Sequence, residues 1–198
     1  MRSTDDSANA PLIGLFVGGQ SRRMQGVPKG TLQLGGAGPT LIERLVDACR
    51  QAAPGAPLRL VGEHPAYQAL GIPMLADARA DAGPMAGLLS LLREAERLHR
   101  SHAIALACDM PYVTAPLLEQ LLDARKQAPI VSAKRDQRWQ PFFARYAVAT
   151  VLPVTERLLE SERWALQAVF DEVSAQSLSL SEAPADLLRD WDTPEDCE

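Results

Sequence analysis

The chain has 198 residues, 46% of them hydrophobic and 23% charged, with a formal net charge of -5. That length suits one ordinary α/β domain with a real core, and the acidic balance removes any general attraction to nucleic acid or to an anionic membrane. A polyanionic ligand would have to meet a local basic cluster.

Residues 1–9, in the opening MRSTDDSANA, read as a polar disordered segment without the apolar core of a signal peptide, leaving 10–198 as a single expected domain. No 18-residue apolar run follows, so no spanning helix is expected. The three cysteines, Cys49, Cys108 and Cys197, are far apart and lack metal-ligand spacing, which argues against a disulfide framework and points to a reduced, cytoplasmic setting.

PLIGLFVG is an apolar run of strand length that hands over to the loop FVGGQSRRMQGVPKG, residues 16–30. TLIERLVDACRQA, residues 40–52, pairs a capping Thr40 with Glu43 three residues later and reads as a helix closed by Pro54 and Gly55. LRLVG (58–62) and IPMLAD (72–77) read as strands, the second ending in Asp77. Gly83 and Pro84 then predict a break before the amphipathic helix LLSLLREAERLH. AIALACD (103–109) is nearly all apolar and predicts a strand buried on both faces that stops at Asp109. APLLEQLLDARK reads as helix and APIVSA as strand. WQPFFARYAVATVLP predicts strand, turn and helix, and the helical VTERLLESERWALQAVFDEV carries a break near Ser161–Trp164. SAQSLSLS closes the pattern as a short strand. Such alternation predicts an α/β fold with a mostly parallel sheet and helices on both sides.

The loop after the first strand contains neither GxxxxGK[ST] nor GxGxxG. It still offers backbone N–H groups and cations: Gly18 and Gly19 let a ligand approach the backbone, Arg23 can hold two phosphate oxygens in its planar fork, and Lys29 can act as a point charge. The alternative reading is a solvated strand-to-helix turn with incidental basic side chains. Asp109 is a candidate ligand-binding residue, because the carboxyl end of a buried strand is where open α/β sheets bind ligands; the alternative there is a cap on the following turn. Asp77 has the same placement and could share the crevice. His64, His99 and His102 have no mutual metal spacing, Cys108 reads as a buried small hydrophobe, and Trp164 as packing.

Five segments, in order, resemble those of the molybdenum cofactor guanylyltransferase family of nucleotidyltransferases: GGQSRRM with Lys29, DARADAGPMAG (77–87), ACDMPY (107–112), Gln140–Pro141 and DWDTPED (190–196). Gln25 stands where glycine is usual, Pro28 where an acidic residue is common, Met85 for leucine, and Asp190 and Asp192 for asparagines. The resemblance implies a three-layer, Rossmann-like nucleotidyltransferase fold and attack by the terminal phosphate of molybdenum-molybdopterin on the α-phosphorus of GTP. It further implies Mg2+ held by Asp109, with Arg23 and Lys29 neutralising the triphosphate. Nucleotide contacts would come from Val17, Gly18, Gly19, Ser21, Arg23, Lys29, Asp77, Gly83 and Asp109. Arg138, Gln140 and the 190–192 segment are implied neighbours of the pterin, and proteins that deliver molybdopterin or accept the finished cofactor are implied partners.

VGG in place of the AAG of related cytidylyltransferases favours guanine. CMP transfer to molybdopterin, transfer to another small phosphate, and GTP binding without turnover remain the alternatives. The last is favoured by Gln25, Pro28, Asp190 and Asp192.

Overall fold

A computed structural model describes residues 10–17, 28–34, 38–124 and 127–180. The expectations for Gly18, Gly19, Ser21, Arg23, Gln25, Asp190, Trp191 and Asp192 therefore lie outside the described residues, as does the N-terminal segment.

Seven strands form one sheet: β1 (Leu12–Phe16), β2 (Leu58–Val61), β3 (Met74–Leu75), β4 (His102–Ala107), β5 (Ile130–Arg135), β6 (Arg138–Ala147) and β7 (Ala175–Ser177). Their order is β3-β2-β1-β4-β6-β5-β7. Pairings are parallel except those of β6, which runs antiparallel to both β4 and β5. The alternation of β1 sorts its side chains to two cores. Ile13 and Leu15 face the layer of α1 (Leu41–Ala52) and α3 (Ala115–Asp123), while Leu12 and Phe16 face α2 (Pro84–Arg97), α4 (Val148–Glu160) and α5 (Gln167–Glu172). The result is the expected α/β arrangement, a mostly parallel sheet between two helical layers.

Local chemistry accounts for the helix starts. Thr40 and Glu43 form the predicted reciprocal cap: Glu43 N–H donates to Thr40 Oγ1 at 3.4 Å and Thr40 N–H donates to Glu43 Oε2 at 2.8 Å. At residue 84 the structure corrects the sequence reading. Pro84 opens α2 instead of breaking the chain, since its fixed φ suits a first helical position and it has no N–H to leave unsatisfied. Gly14 leaves room for this helix: a Cβ there would lie 2.6 Å from both methyl carbons of Leu91.

The expected turn after the β6 segment is also absent. β6 runs straight into α4, with Val148 N–H donating to Ser101 O at 2.9 Å. IPMLAD contributes only the two residues of β3, at the edge of the sheet beside β2. Among the described residues no helix is long and apolar enough to cross a membrane.

Candidate active site

β1 is the point at which the sheet's order reverses, because β2 and β3 lie on one side of it and β4 on the other. A doubly wound sheet opens a crevice at the carboxyl ends of such strands. Here it is a cavity of about 640 Å³, within the usual range of small-molecule sites. Phe16 and Val17 border it from β1, Val61 from β2, and Ala107, Cys108, Asp109 and Met110 from the exit of β4. Lys29, Asp77, Asp81, Gly83, Pro84, Gly87, Gln140, Pro141 and Phe142 complete the wall.

Being antiparallel to β4, β6 brings its beginning to this same edge. Its register with β5 is irregular between Ser132 and Lys134. Pro141, which has no N–H for a ladder, falls on β6 opposite that irregularity. The local polar groups are satisfied by side chains: Ser132 Oγ donates to Gln140 O at 2.8 Å and Tyr146 Oη donates to Pro141 O at 2.7 Å. Phe142 meets the Phe16 ring with centroids 4.7 Å apart, giving the cavity an aromatic wall.

Two charges also border the cavity. Lys29 Nζ donates to Asp109 Oδ2 at 2.9 Å, and each side chain is about one-fifth exposed (20% and 19%). Lys29 begins a short 3-10 turn, Lys29–Thr31, in which Thr31 N–H and Oγ1 both donate to Pro28 O. Asp109 lies two residues beyond β4, and the exit of that strand is tied to β1 by Cys108 N–H donating to Phe16 O at 3.1 Å.

The segment from Asp77 to Gly83 closes a third side. Desolvation first, and the nearby Glu63 charge second, raise the Asp77 carboxyl above the usual carboxylate range. Asp81 has φ 62°, and Gly83 adopts φ 59°, ψ -147°, a combination close to the region reserved for glycine. Gly83 caps α2, so the amino end of this 14-residue helix borders the cavity with the positive end of its dipole.

Val17, Lys29, Asp77, Gly83 and Asp109 thus share one cavity, together with Gln140. Arg138 is exposed and lies outside the cavity lining. Sequence reasoning missed Phe16, Val61, Asp81, Gly87 and Phe142 as wall residues. A local signal existed for Gly87, in GPMAG, whereas the others meet only through sheet order.

The residues passed over as reactive groups have structural partners. Burial, and then the Asp109 charge, push the Cys108 thiol up to about 12, leaving it protonated and inert at neutral pH. His64 Nδ1 accepts from Ala66 N–H at 3.2 Å. Trp164 packs beneath the Arg79 guanidinium, 5.1 Å from its ring centroid, and Trp139 stacks on Phe170.

Among the described residues no three His, Cys, Asp or Glu side chains converge to hold a metal by themselves. Magnesium does not require such a cage; it is ordinarily bound by one or two carboxylates plus substrate phosphates and water. Asp109, with Asp77 on the same cavity, fits that donor set.

Residues 15–176, from β1 to β7, match the family described as the MobA-like NTP transferase domain. The chain belongs to the MobA-like NTP transferase family. It is 28% identical over 185 residues to the molybdenum cofactor guanylyltransferase of Yersinia pestis (strain Pestoides F), covering 93% of this chain and 91% of that protein. Its fold is similar to that of molybdopterin-guanine dinucleotide biosynthesis protein A from Archaeoglobus fulgidus, with TM-score 0.69, 21% identity and 94% of each chain covered. The 2-C-methyl-D-erythritol 4-phosphate cytidylyltransferase of Thermus thermophilus shares it at TM-score 0.60 and 18% identity, over 93% of this chain and 94% of the other. Family membership makes the chemistry nucleotidyl transfer.

Proposed function

We propose that the chain transfers GMP from GTP to molybdenum-molybdopterin, forming the guanine dinucleotide cofactor and pyrophosphate. The observation that carries this reading is the Lys29–Asp109 pair, 2.9 Å apart, on the cavity where the strand order reverses. A cation and a carboxylate so placed suit a triphosphate and its metal ion, and the guanylyltransferase activity of the Yersinia pestis relative supplies the base and the acceptor.

In this reading an oxygen of the acceptor's terminal phosphate forms a bond to the α-phosphorus, the α–β bridging bond breaks, and pyrophosphate leaves with the electron pair. Two anions must approach, so the task of the site is positioning and charge neutralisation. Lys29 and Arg23 neutralise the triphosphate. Gly18, Gly19 and Ser21 offer backbone and hydroxyl contacts, Val17 and Gly83 lie against the nucleotide, and Asp77 orders its sugar or the adjoining loop. Asp109 would hold magnesium, which would supply charge neutralisation and help orient the phosphates. No side-chain nucleophile is needed, in keeping with the inert Cys108 thiol. Gln140 on the cavity wall is a candidate for contact with the acceptor, and Arg138 and the 190–192 segment are the further candidates. Proteins that deliver molybdopterin or take up the finished cofactor are the partners this reading proposes.

The test is product mass spectrometry after incubation with magnesium, molybdenum-loaded molybdopterin and GTP, CTP or ATP separately. A guanine dinucleotide formed from GTP in preference to the others supports the reading. A cytosine dinucleotide formed in preference overturns the base assignment, and binding of GTP without any adduct overturns turnover.

A further inference from the structure

We propose that Tyr67 is a positioning residue for the Lys29–Asp109 pair, an assignment that rests on the nucleotidyl-transfer reading for its functional meaning. Tyr67 lies on the 3-10 helix Pro65–Leu70 between β2 and β3 and is 1% exposed. Its hydroxyl accepts a hydrogen bond from Gly30 N–H at 3.2 Å, across 37 residues of sequence. The contact is tight on the other side as well. A Cβ on residue 30 would lie 2.9 Å from Tyr67 Oη, 3.1 Å from its Cε1 and 3.3 Å from Cys108 Cβ.

Gly30, Tyr67 and Cys108 therefore meet at one tight joint, and the chain neighbours of Gly30 and Cys108 are Lys29 and Asp109. The approach of residues 30 and 108 sets the separation of the charges beside them, and Tyr67, bonded to the Gly30 N–H, holds that approach in place. Both Tyr67 and Cys108 are anchored. Tyr67 N–H donates to His64 O at 3.1 Å, its ring meets the His64 ring at 5.8 Å, and Gly71 closes the short helix at φ 62°. Cys108 is tied to β1 through Phe16 O. A residue that merely filled space here could be phenylalanine. The hydroxyl adds an acceptor for the buried Gly30 N–H and also meets the Cys108 side chain, so its removal weakens the joint that holds residues 30 and 108 together.

The experiment reads Lys29 without needing turnover. Lys29, Lys126 and Lys134 are the only lysines of the chain, so modification of the folded protein by an amine-reactive ester can be quantified peptide by peptide, with Lys134 as internal reference. In Tyr67→Phe, Lys29 modification should accelerate about threefold to tenfold, the effect of one net hydrogen bond, with Lys134 unchanged. Gly30→Ala, whose Cβ wedges the joint apart, should accelerate it at least as much, and Asp109→Asn calibrates the loss of the Asp109 contact. With GTP, both joint variants should show a raised KM and a smaller change in kcat.

Wild-type rates at Lys29 in both Tyr67→Phe and Gly30→Ala, while Asp109→Asn is faster, would overturn the assignment. An equal acceleration at Lys134 would also overturn it, since that marks general loosening. Should Tyr67→Phe fail to fold, Gly30→Ala decides by the same comparison. A wild-type protein that turns over no nucleotide would defeat the reaction assignment, and the labelling would still decide whether Tyr67 sets Lys29.

Discussion

Replacing Gly87 by alanine sets two known effects against each other. Gly87 lies within α2, where alanine in place of glycine ordinarily stabilises a helix by about 1 kcal/mol. The added Cβ would lie 2.9 Å from Val61 Cγ1, 3.0 Å from Phe16 Cε1 and 3.3 Å from Asp77 Oδ1. Carbon pairs settle at about 3.5–4.0 Å, so both apolar contacts overlap by roughly half an ångström. Val61 is 1% exposed and Phe16 8%, so neither can swing into solvent. Overpacking costs about 1–3 kcal/mol, and two such close contacts against buried side chains put this site at about 2–3 kcal/mol, which outweighs the helix gain for a net loss of about 1–2 kcal/mol. For a chain of this size the melting temperature should fall by about 2–8 °C. Relief pushes Phe16 or Asp77 into the cavity they line, and a misfit worth about 1 kcal/mol would weaken GTP binding about fivefold. Urea unfolding followed by the fluorescence of Trp139 and Trp164, with calorimetric GTP titration, measures both. A variant as stable as wild type with unchanged GTP affinity would show that the overlap is relieved at no cost, contrary to this expectation.

Glu94 joins Arg59 and Arg97: Arg59 Nη2 lies 2.7 Å from its Oε1 and Arg97 Nε 2.6 Å from its Oε2, and these bonds, Arg97's first, lower its carboxyl from the ordinary 4.5 to about 2. A depressed carboxylate stabilises the fold above its unfolded value near 4.5 and loses that contribution as pH falls towards about 2. Because Arg97 is 66% exposed and screened by solvent, Glu94→Gln should cost about 1–2 kcal/mol at pH 7 and less at pH 4 in paired unfolding curves. A cost that grows on acidification would contradict this. Cys49 and Cys108 are buried, with thiols pushed up to about 12, so in a Cys197→Ser protein a chromogenic disulfide reagent at pH 8 should find no fast thiol until the chain unfolds. Rapid titration of either thiol in the native protein would show that burial does not protect it.

Much of the architecture was legible because local chemistry and tertiary structure agree. Thr40 and Glu43 announce α1 by their spacing, and AIALA reads as a strand buried on both faces because it is one. Periodicity identifies a strand without giving its direction, and so the antiparallel course of β6, which delivers Gln140, Pro141 and Phe142 to the cavity, had no sequence signal. Pro84 misled because the same ring that breaks a helix interior suits a first turn, and only the preceding Gly83 conformation decides between them. Lys29 and Asp109 stood out by residue type and by position after predicted strands. Tyr67 did not, since its hydrogen bond to Gly30 joins segments 37 residues apart.

The decisive measurement for the proposed reaction is pyrophosphate release from GTP, with magnesium and molybdenum-loaded molybdopterin, by wild type and by Asp109→Ala. Release by the wild type is expected, with a loss of about a hundredfold or more in a folded Asp109→Ala protein, in line with removal of a principal electrostatic group from a transfer site. Undiminished release by a folded Asp109→Ala protein would contradict the role given to this carboxylate and to the cavity it lines.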